Sequence, residues 1–294
     1  VAGITFAVRE GEVFSLLGPN GAGKSTTISI LSGLIEPTSG DAAIMGHSLK
    51  TASQAAKARL GVVPQEIALY PDLTARENLD FWGKMYGLRG VALNRKVDAV
   101  LETIGLNGRQ RDRVGTFSGG MKRRVNIGAA LLHDPSVVIM DEPTVGIDPQ
   151  SRRHILDHVK ALNAAGTTVL YTTHYMEEAA ELSHRIAIMD QGRIIACGTH
   201  DELIAQVGGQ TRIDLTVNIE PERVLPAWRA IEGVAHIDSA NGRITALVDD
   251  SNVVLPRLFE AATQVGARIT SVDINEPNLE SVFLKLTGKA LRDA

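Results

Sequence analysis

Cysteine is almost absent: Cys197 stands alone among 294 residues, so no intrachain disulfide can form, and the usage fits a reducing compartment. A lone Cys at the end of an apolar stretch is expected to be a small packed side chain without chemistry of its own. Aromatics are scarce at 4%, which argues against a stacking platform for single-stranded nucleic acid. There is no excess of positive charge either. Residues 209–294 hold 9 Lys and Arg against 12 Asp and Glu, and the rest of the chain holds 21 against 22. Neither part has the basic field of a nucleic-acid binder, and no nucleic-acid partner is expected. The run Lys122-Arg123-Arg124 is local and reads as a solvated helix face. No stretch approaches the ~18 continuous apolar residues of a membrane span, and no signal peptide is visible. The first residue is Val rather than Met, and the natural start is expected upstream of it.

What is present is a regular alternation of strand and helix signals up to about residue 207. Val13-Phe14-Ser15-Leu16-Leu17, between Gly11 and Gly18, reads as a buried strand, and a helix is expected over Lys24 to Leu34. Val137–Met140 and Thr168–Tyr171 read as further buried strands, with Ile155, Leu156, Val159 and Leu162 at helical spacing between them. The expected class is α/β, a mostly parallel sheet covered by helices. Residues 72–133 carry helical patterns instead, as at Val97, Val100, Leu101 and Ile104, and read as a helical insertion.

Gly208-Gly209 marks a boundary, giving domains 1–207 and 208–294. Beyond it Ile213, Leu215, Val217 and Ile219 alternate with polar residues as in a half-buried strand. A helix near Pro221, strands at Val234–Ile237 and Ile244–Val248, a helical stripe (Val254, Leu255, Leu258, Phe259, Ala262, Val265) and a strand at Ile269–Ile274 follow. The order β-α-β-β-α-β predicts a small α+β, ferredoxin-like domain.

Chemistry concentrates at Gly18-Pro19-Asn20-Gly21-Ala22-Gly23-Lys24-Ser25-Thr26. Two glycines, Lys and Ser at this spacing, after a strand and before a helix, form a phosphate-binding loop. Glycines let successive N–H groups turn toward an anion, and the helix that follows points its positive end at the same place. Lys24 supplies a full charge for the β- and γ-phosphates, and the Ser25 hydroxyl can ligate Mg²⁺. Val137–Met140 runs into Asp141-Glu142, an apolar strand ending in two carboxylates. Asp141 is suited to hold the ion and Glu142 to polarise an attacking water. Both motifs fall at the carboxyl ends of strands, where open α/β sheets gather ligands.

A third motif narrows the class. Phe117-Ser118-Gly119-Gly120-Met121 precedes the Asp141-Glu142 strand and resembles the Leu-Ser-Gly-Gly-Gln signature of the ATP-binding cassette (ABC) family. The family's order continues with Gln65 in the glutamine-loop place, Asp148 in the loop that reaches across the dimer, and His174 as the switch histidine. The resemblance covers residues 1 to about 207. It implies a head-to-tail homodimer closing on two ATP molecules, with Ser118, Gly119 and Gly120 of one copy gripping the γ-phosphate held by the other. His174 is expected to contact the γ-phosphate, and Gln65 to link Mg²⁺ and water to the helical insertion. Phe117 and Met121 depart from the signature, yet Ser-Gly-Gly-Met before Lys-Arg-Arg resembles the drug-resistance exporter branch related to daunorubicin exporters, as does the tail Asn275–Gly288. The aromatic on which the family stacks adenine is expected upstream of Val1; Phe6 and Phe14 read as core residues.

The implied function is the ATP-binding, ATP-hydrolysing subunit of an exporter, held at the cytoplasmic face of the membrane by a separate integral membrane permease. An importer subunit is an alternative, as is a soluble ABC ATPase acting on nucleic acid or ribosomes. Those soluble relatives generally carry two cassettes or long coiled coils, and neither is found here.

Overall fold

The structure, a computed structural model, describes residues 1–206, 210–240 and 242–287. It forms two compact units, one over Val1–His200 and one from Asp201 onward. The boundary thus falls ahead of Gly208-Gly209, which lies outside the described residues, because the helix His200–Ala205 goes with the second unit.

In the first unit the elements run β1 (Val13–Leu17), α1 (Lys24–Leu31), β2 (Ala43–Ile44), β3 (His47–Ser48), α2 (Ser53–Lys57), β4 (Leu60–Val63), α3 (Ala75–Met85), α4 (Gly90–Thr103), α5 (Gly119–Leu131), β5 (Val137–Asp141), α6 (Pro149–Ala164), β6 (Thr168–Thr173), α7 (Met176–Leu182), β7 (Arg185–Asp190) and β8 (Arg193–Gly198). Six strands form one sheet in the order β4-β5-β6-β1-β7-β8, parallel except for the edge strand β8. The central strands are apolar on both faces, as a sheet covered on both sides requires. Val13, Val138, Met140, Val169 and Tyr171 face a core shared with α3–α6. Phe14, Leu16, Ile139 and Leu170 face the other way, toward Ile28 of α1. Phe6 stacks on the fully buried Phe14, with centroids 5.5 Å apart.

Helix α1 stops at Leu31 rather than Leu34. Gly33 takes φ 68, and Leu34 N–H donates to Ser29 O (2.8 Å) while Gly33 N–H donates to Ile30 O (3.0 Å). This pairing closes a helix over a left-handed glycine. The helical segment begins cleanly at Thr74, which caps α3 in a reciprocal pair with Glu77. Two sequence expectations fail here. Cys197 is exposed, because β8 is the edge strand. Arg123 is 4% exposed, on the inner face of α5.

The second unit holds α8 (His200–Ala205), β9 (Thr211–Val217), α9 (Leu225–Arg229), β10 (Val234–Ala240), β11 (Arg243–Val248), α10 (Ser251–Gln264), β12 (Ile269–Asn275) and α11 (Leu279–Thr287). Its antiparallel sheet has the order β10-β11-β9-β12, the ferredoxin-like arrangement. Ile213 and Leu215 pack with Trp228, Val254, Leu258 and Ala262 in a separate core, and Trp228 Nε1–H donates to Leu258 O (2.9 Å). Phe259, expected in the buried stripe, is 44% exposed: the stripe is narrower than the sequence suggests. Strand β9 ends at Val217, so Ile219 packs from the following turn.

Candidate nucleotide site

Strand β1 delivers the chain to the Gly18–Thr26 loop at the carboxyl edge of the sheet. Gly23 takes φ 103 and caps α1 with no side-chain hydrogen bond. The first N–H groups of α1 therefore remain open to an external anion. A cavity of about 450 Å³ lies against them, lined by Asn20, Gly21, Gly23, Lys24, Ser25, Thr26, Gln65, Glu142, Val145, His174 and Tyr175. The fold thus gathers residues from three further stretches of sequence around one loop.

Lys24 is 4% exposed. Its ammonium donates to Gly18 O (2.6 Å) and Pro19 O (3.0 Å) and lies 2.9 Å from Glu142 Oε1. The other oxygen of Glu142 is 3.2 Å from His174 Nδ1. A carboxylate only accepts, so His174 must carry its proton on Nδ1 for this bond. Glu142 itself sits at φ 43, outside the favoured regions for a non-glycine residue. The strain is held by its N–H, which donates to Thr172 Oγ1 (2.9 Å). That hydroxyl in turn donates to Asp141 Oδ1 (2.6 Å). Thr172 thereby holds the Asp141 carboxylate and the Glu142 backbone at the end of β5.

The site was only partly legible. Tyr175 and Val145 line the cavity without having been singled out. Tyr175 lies under the Arg152 guanidinium, 4.3 Å from it, and beneath them the buried Glu178 accepts from Tyr171 (2.9 Å) and Thr173 (2.9 Å). Burial, reinforced by Glu178, pushes the Tyr171 hydroxyl well above its ordinary pKa, so it stays a donor. Ala22 and Asp141 do not line the cavity: Ala22 is buried in the loop, and Asp141 is bonded to Thr172, which accepts from the Glu142 N–H.

Ser118, Gly119, Gly120 and Asp148 are not brought to the cavity. Ser118 caps α5, accepting from Met121 N–H (3.3 Å), and is exposed with Gly119. Gly120 is buried where a Cβ would lie 2.1 Å from Ser151 Oγ. Asp148 caps α6, accepting from Ser151 N–H (3.0 Å), and this bond holds its carboxyl below the ordinary range.

The residues present fit a nucleotide and a divalent ion. Open N–H groups and Lys24 suit phosphates. Ser25 and Gln65 offer oxygen donors at the cavity, of the hard kind that Mg²⁺ prefers, and Asp141, set behind them, would act through water. No group of three or more His, Cys, Asp or Glu arranged for a metal occurs among the described residues, so any ion here depends on phosphate and water for part of its shell.

Fold and site together define a phosphate-loop NTPase. The ABC transporter family pattern matches residues 1–145. The whole chain is similar to the linearmycin resistance ATP-binding protein LnrL of Bacillus subtilis, at 51% identity over 95% of that relative. It is 38% identical over 97% of its length to the daunorubicin resistance ATP-binding protein DrrA3 of Streptomyces coeruleorubidus, covering 90% of it. Over its full length it is 40% identical to the Nod factor export ATP-binding protein I of Paraburkholderia xenovorans, covering 93% of it. Among solved structures, the ATP-binding cassette MJ0796, a dimer in a post-hydrolysis state with ADP and Pi, shares 27% identity with a TM-score of 0.61, covering 67% of this chain and 88% of that one. The chain belongs to the ABC transporter family. Within it, the chain is an ATP-binding and ATP-hydrolysing subunit of the exporter branch.

Proposed function

We propose that the chain drives export through a separate integral membrane subunit, and that two copies close head to tail on two ATP molecules. The carrying observation is that the signature Ser118–Gly120, with Ser118 and Gly119 exposed at a helix N-terminus, takes no part in its own chain's cavity. A helix end and small residues facing solvent suit an anion brought by another copy. Lys24 and the N–H groups of the loop hold the phosphates. Glu142 takes up the proton of the attacking water, and His174 steadies both Glu142 and the transferring phosphoryl group. Ser25 and Gln65, with Asp141 through water, would hold Mg²⁺, which would supply charge neutralisation on the phosphates.

ATP entering the site must displace Glu142 from Lys24, because the ammonium that now pairs with the carboxylate is the one the phosphates need. Exposed Ile67, Tyr70 and Met85, after Gln65 and on α3, support the helical segment as the surface that meets the membrane subunit. No helix among the described residues is long and apolar enough to cross a membrane. A peripheral position on the cytoplasmic face, next to such a subunit, follows from the role proposed here. The relatives named for linearmycin and daunorubicin resistance and for Nod factor export support outward transport.

The test is reconstitution of the chain with its membrane subunit in vesicles. ATP-dependent cargo movement away from the ATPase side is expected, abolished by Glu142→Gln. Movement in the opposite direction would overturn the export assignment.

A further inference from the structure

Arg123 has no place in the mechanism above, yet it is the most deeply buried arginine of the described chain. It lies on α5, five residues past Ser118. Its Nη1 donates to Pro64 O (2.7 Å) and its Nη2 to Gln65 O (2.6 Å). Its Nε has no partner, and no carboxylate lies within ion-pair distance among the described residues. One helical turn further along the same face, Asn126 Oδ1 accepts from Ala68 N–H (3.2 Å). Two points on α5 therefore hold the segment 64–68.

A buried cation with no carboxylate inside ion-pair distance is costly even with Asp141 acting on it from further off, and apolar packing at that position would stabilise α5 at least as well. What apolar packing cannot do is satisfy these two carbonyls. Strand β4 ends at Val63, and Pro64 has no N–H to give. The planar fork of a guanidinium can donate to two successive carbonyls at once and so fixes the two peptide planes that flank the Gln65 Cα. Gln65 itself lines the cavity. Helix α5 thus carries Ser118 at its start and the holder of Gln65 on its second turn.

We propose that Arg123, seconded by Asn126, is a positioning residue that ties the Gln65 loop to the helix opening at Ser118, so that the partner's ATP gripped by Ser118 sets Gln65 in this chain's own site. The proposal rests on the head-to-tail reading of Ser118. It makes α5 a rigid link between the two ATP sites of the dimer: displacement of its N-terminus moves the Gln65 backbone with it.

The experiment measures nucleotide affinity and steady-state ATP hydrolysis of the chain assembled with its membrane subunit. The variants are Arg123→Gln, Arg123→Lys, Gln65→Ala and the Arg123→Gln/Gln65→Ala pair. Arg123→Gln should keep Kd for ATP within about twofold and lower kcat by about 10- to 100-fold with KM little changed. Arg123→Lys, able to reach one carbonyl at a time, should fall between. In the Gln65→Ala background Arg123→Gln should cost less than about twofold more, since it acts through Gln65. A further loss of tenfold or more in that background overturns the proposal, as does loss of nucleotide binding in both Arg123 variants. Should Arg123→Gln fail to fold, Arg123→Lys and its pair with Gln65→Ala carry the same comparison. Ser118→Arg separates the two claims. If it leaves hydrolysis intact, the head-to-tail reading falls and takes this proposal with it. If it abolishes hydrolysis while the Arg123 and Gln65 effects add, only the link through Arg123 falls.

Discussion

Glu142→Gln should change three quantities at once, each with a sign fixed by the ion pair at Lys24. The two groups are 2.9 Å apart with side-chain exposures of 3% and 5%. Removing one partner of a buried pair commonly costs ~3–5 kcal/mol. Here glutamine keeps an oxygen in place, and Gly18 O and Pro19 O stay on the ammonium, so about 2 kcal/mol is expected without nucleotide. For a unit of this size that lowers the melting temperature by ~4–8 °C. With ATP the sign reverses. A carboxylate ~4 Å from a phosphate oxygen repels it by about 4 kcal/mol at an effective dielectric constant near 20. Water and counter-ions remove most of this, leaving an affinity gain of roughly tenfold. Hydrolysis should fall by about 10²–10⁴ through loss of the base. Thermal unfolding with and without Mg-ATP, nucleotide titration and phosphate release read all three. Wild-type turnover, or a melting temperature that rises without nucleotide, would refute the reasoning.

Lys24→Ala removes the only ammonium that lines the cavity among the described residues and should weaken ATP binding by about 100-fold, read by nucleotide titration. Gly120→Ala drives a Cβ to within 2.1 Å of Ser151 Oγ, for a destabilisation of ~1–3 kcal/mol in thermal unfolding. Ser151→Gly in the same chain should restore most of it. Asp214 in the second unit gives a pH dependence. Burial alone would raise its carboxyl, but the Thr245 hydroxyl (2.5 Å) and Arg212 (3.1 Å) outweigh it and hold the folded value low. The group then stabilises the fold above its unfolded pKa of ~3.9, and that contribution is lost as pH falls through the folded value. Thermal melts should be flat above about pH 5 and decline below about pH 4, with the decline reduced in Asp214→Asn.

The alternation of strand and helix that builds the covered sheet is readable in the sequence because its signals are local. Buried strands such as Val13–Leu17 end at a glycine, and the Lys24-Ser25 pair follows at fixed spacing. The site's motifs were legible for the same reason: each is a short run at the end of a strand or the start of a helix. What stayed hidden depends on contacts distant along the chain. Arg123 sits in a basic run like any solvated one, and only the packing of α5 on the turn after β4 turns it inward. Cys197 ends an apolar run, but β8 pairs on one side only, which leaves it exposed. The role of Thr172 emerges from the pairing of β5 with β6, which sets it beside Asp141.

The central claim is that one copy of the chain holds half of each hydrolytic site. Turnover per chain measured across a dilution series, with the assembly state followed in parallel by sedimentation, tests it most directly. ATP binding per chain should be independent of concentration and hydrolysis per chain should fall away as the dimer dissociates, with Ser118→Arg binding ATP at every concentration and hydrolysing it at none. Hydrolysis per chain that stays constant in the monomeric range would contradict it.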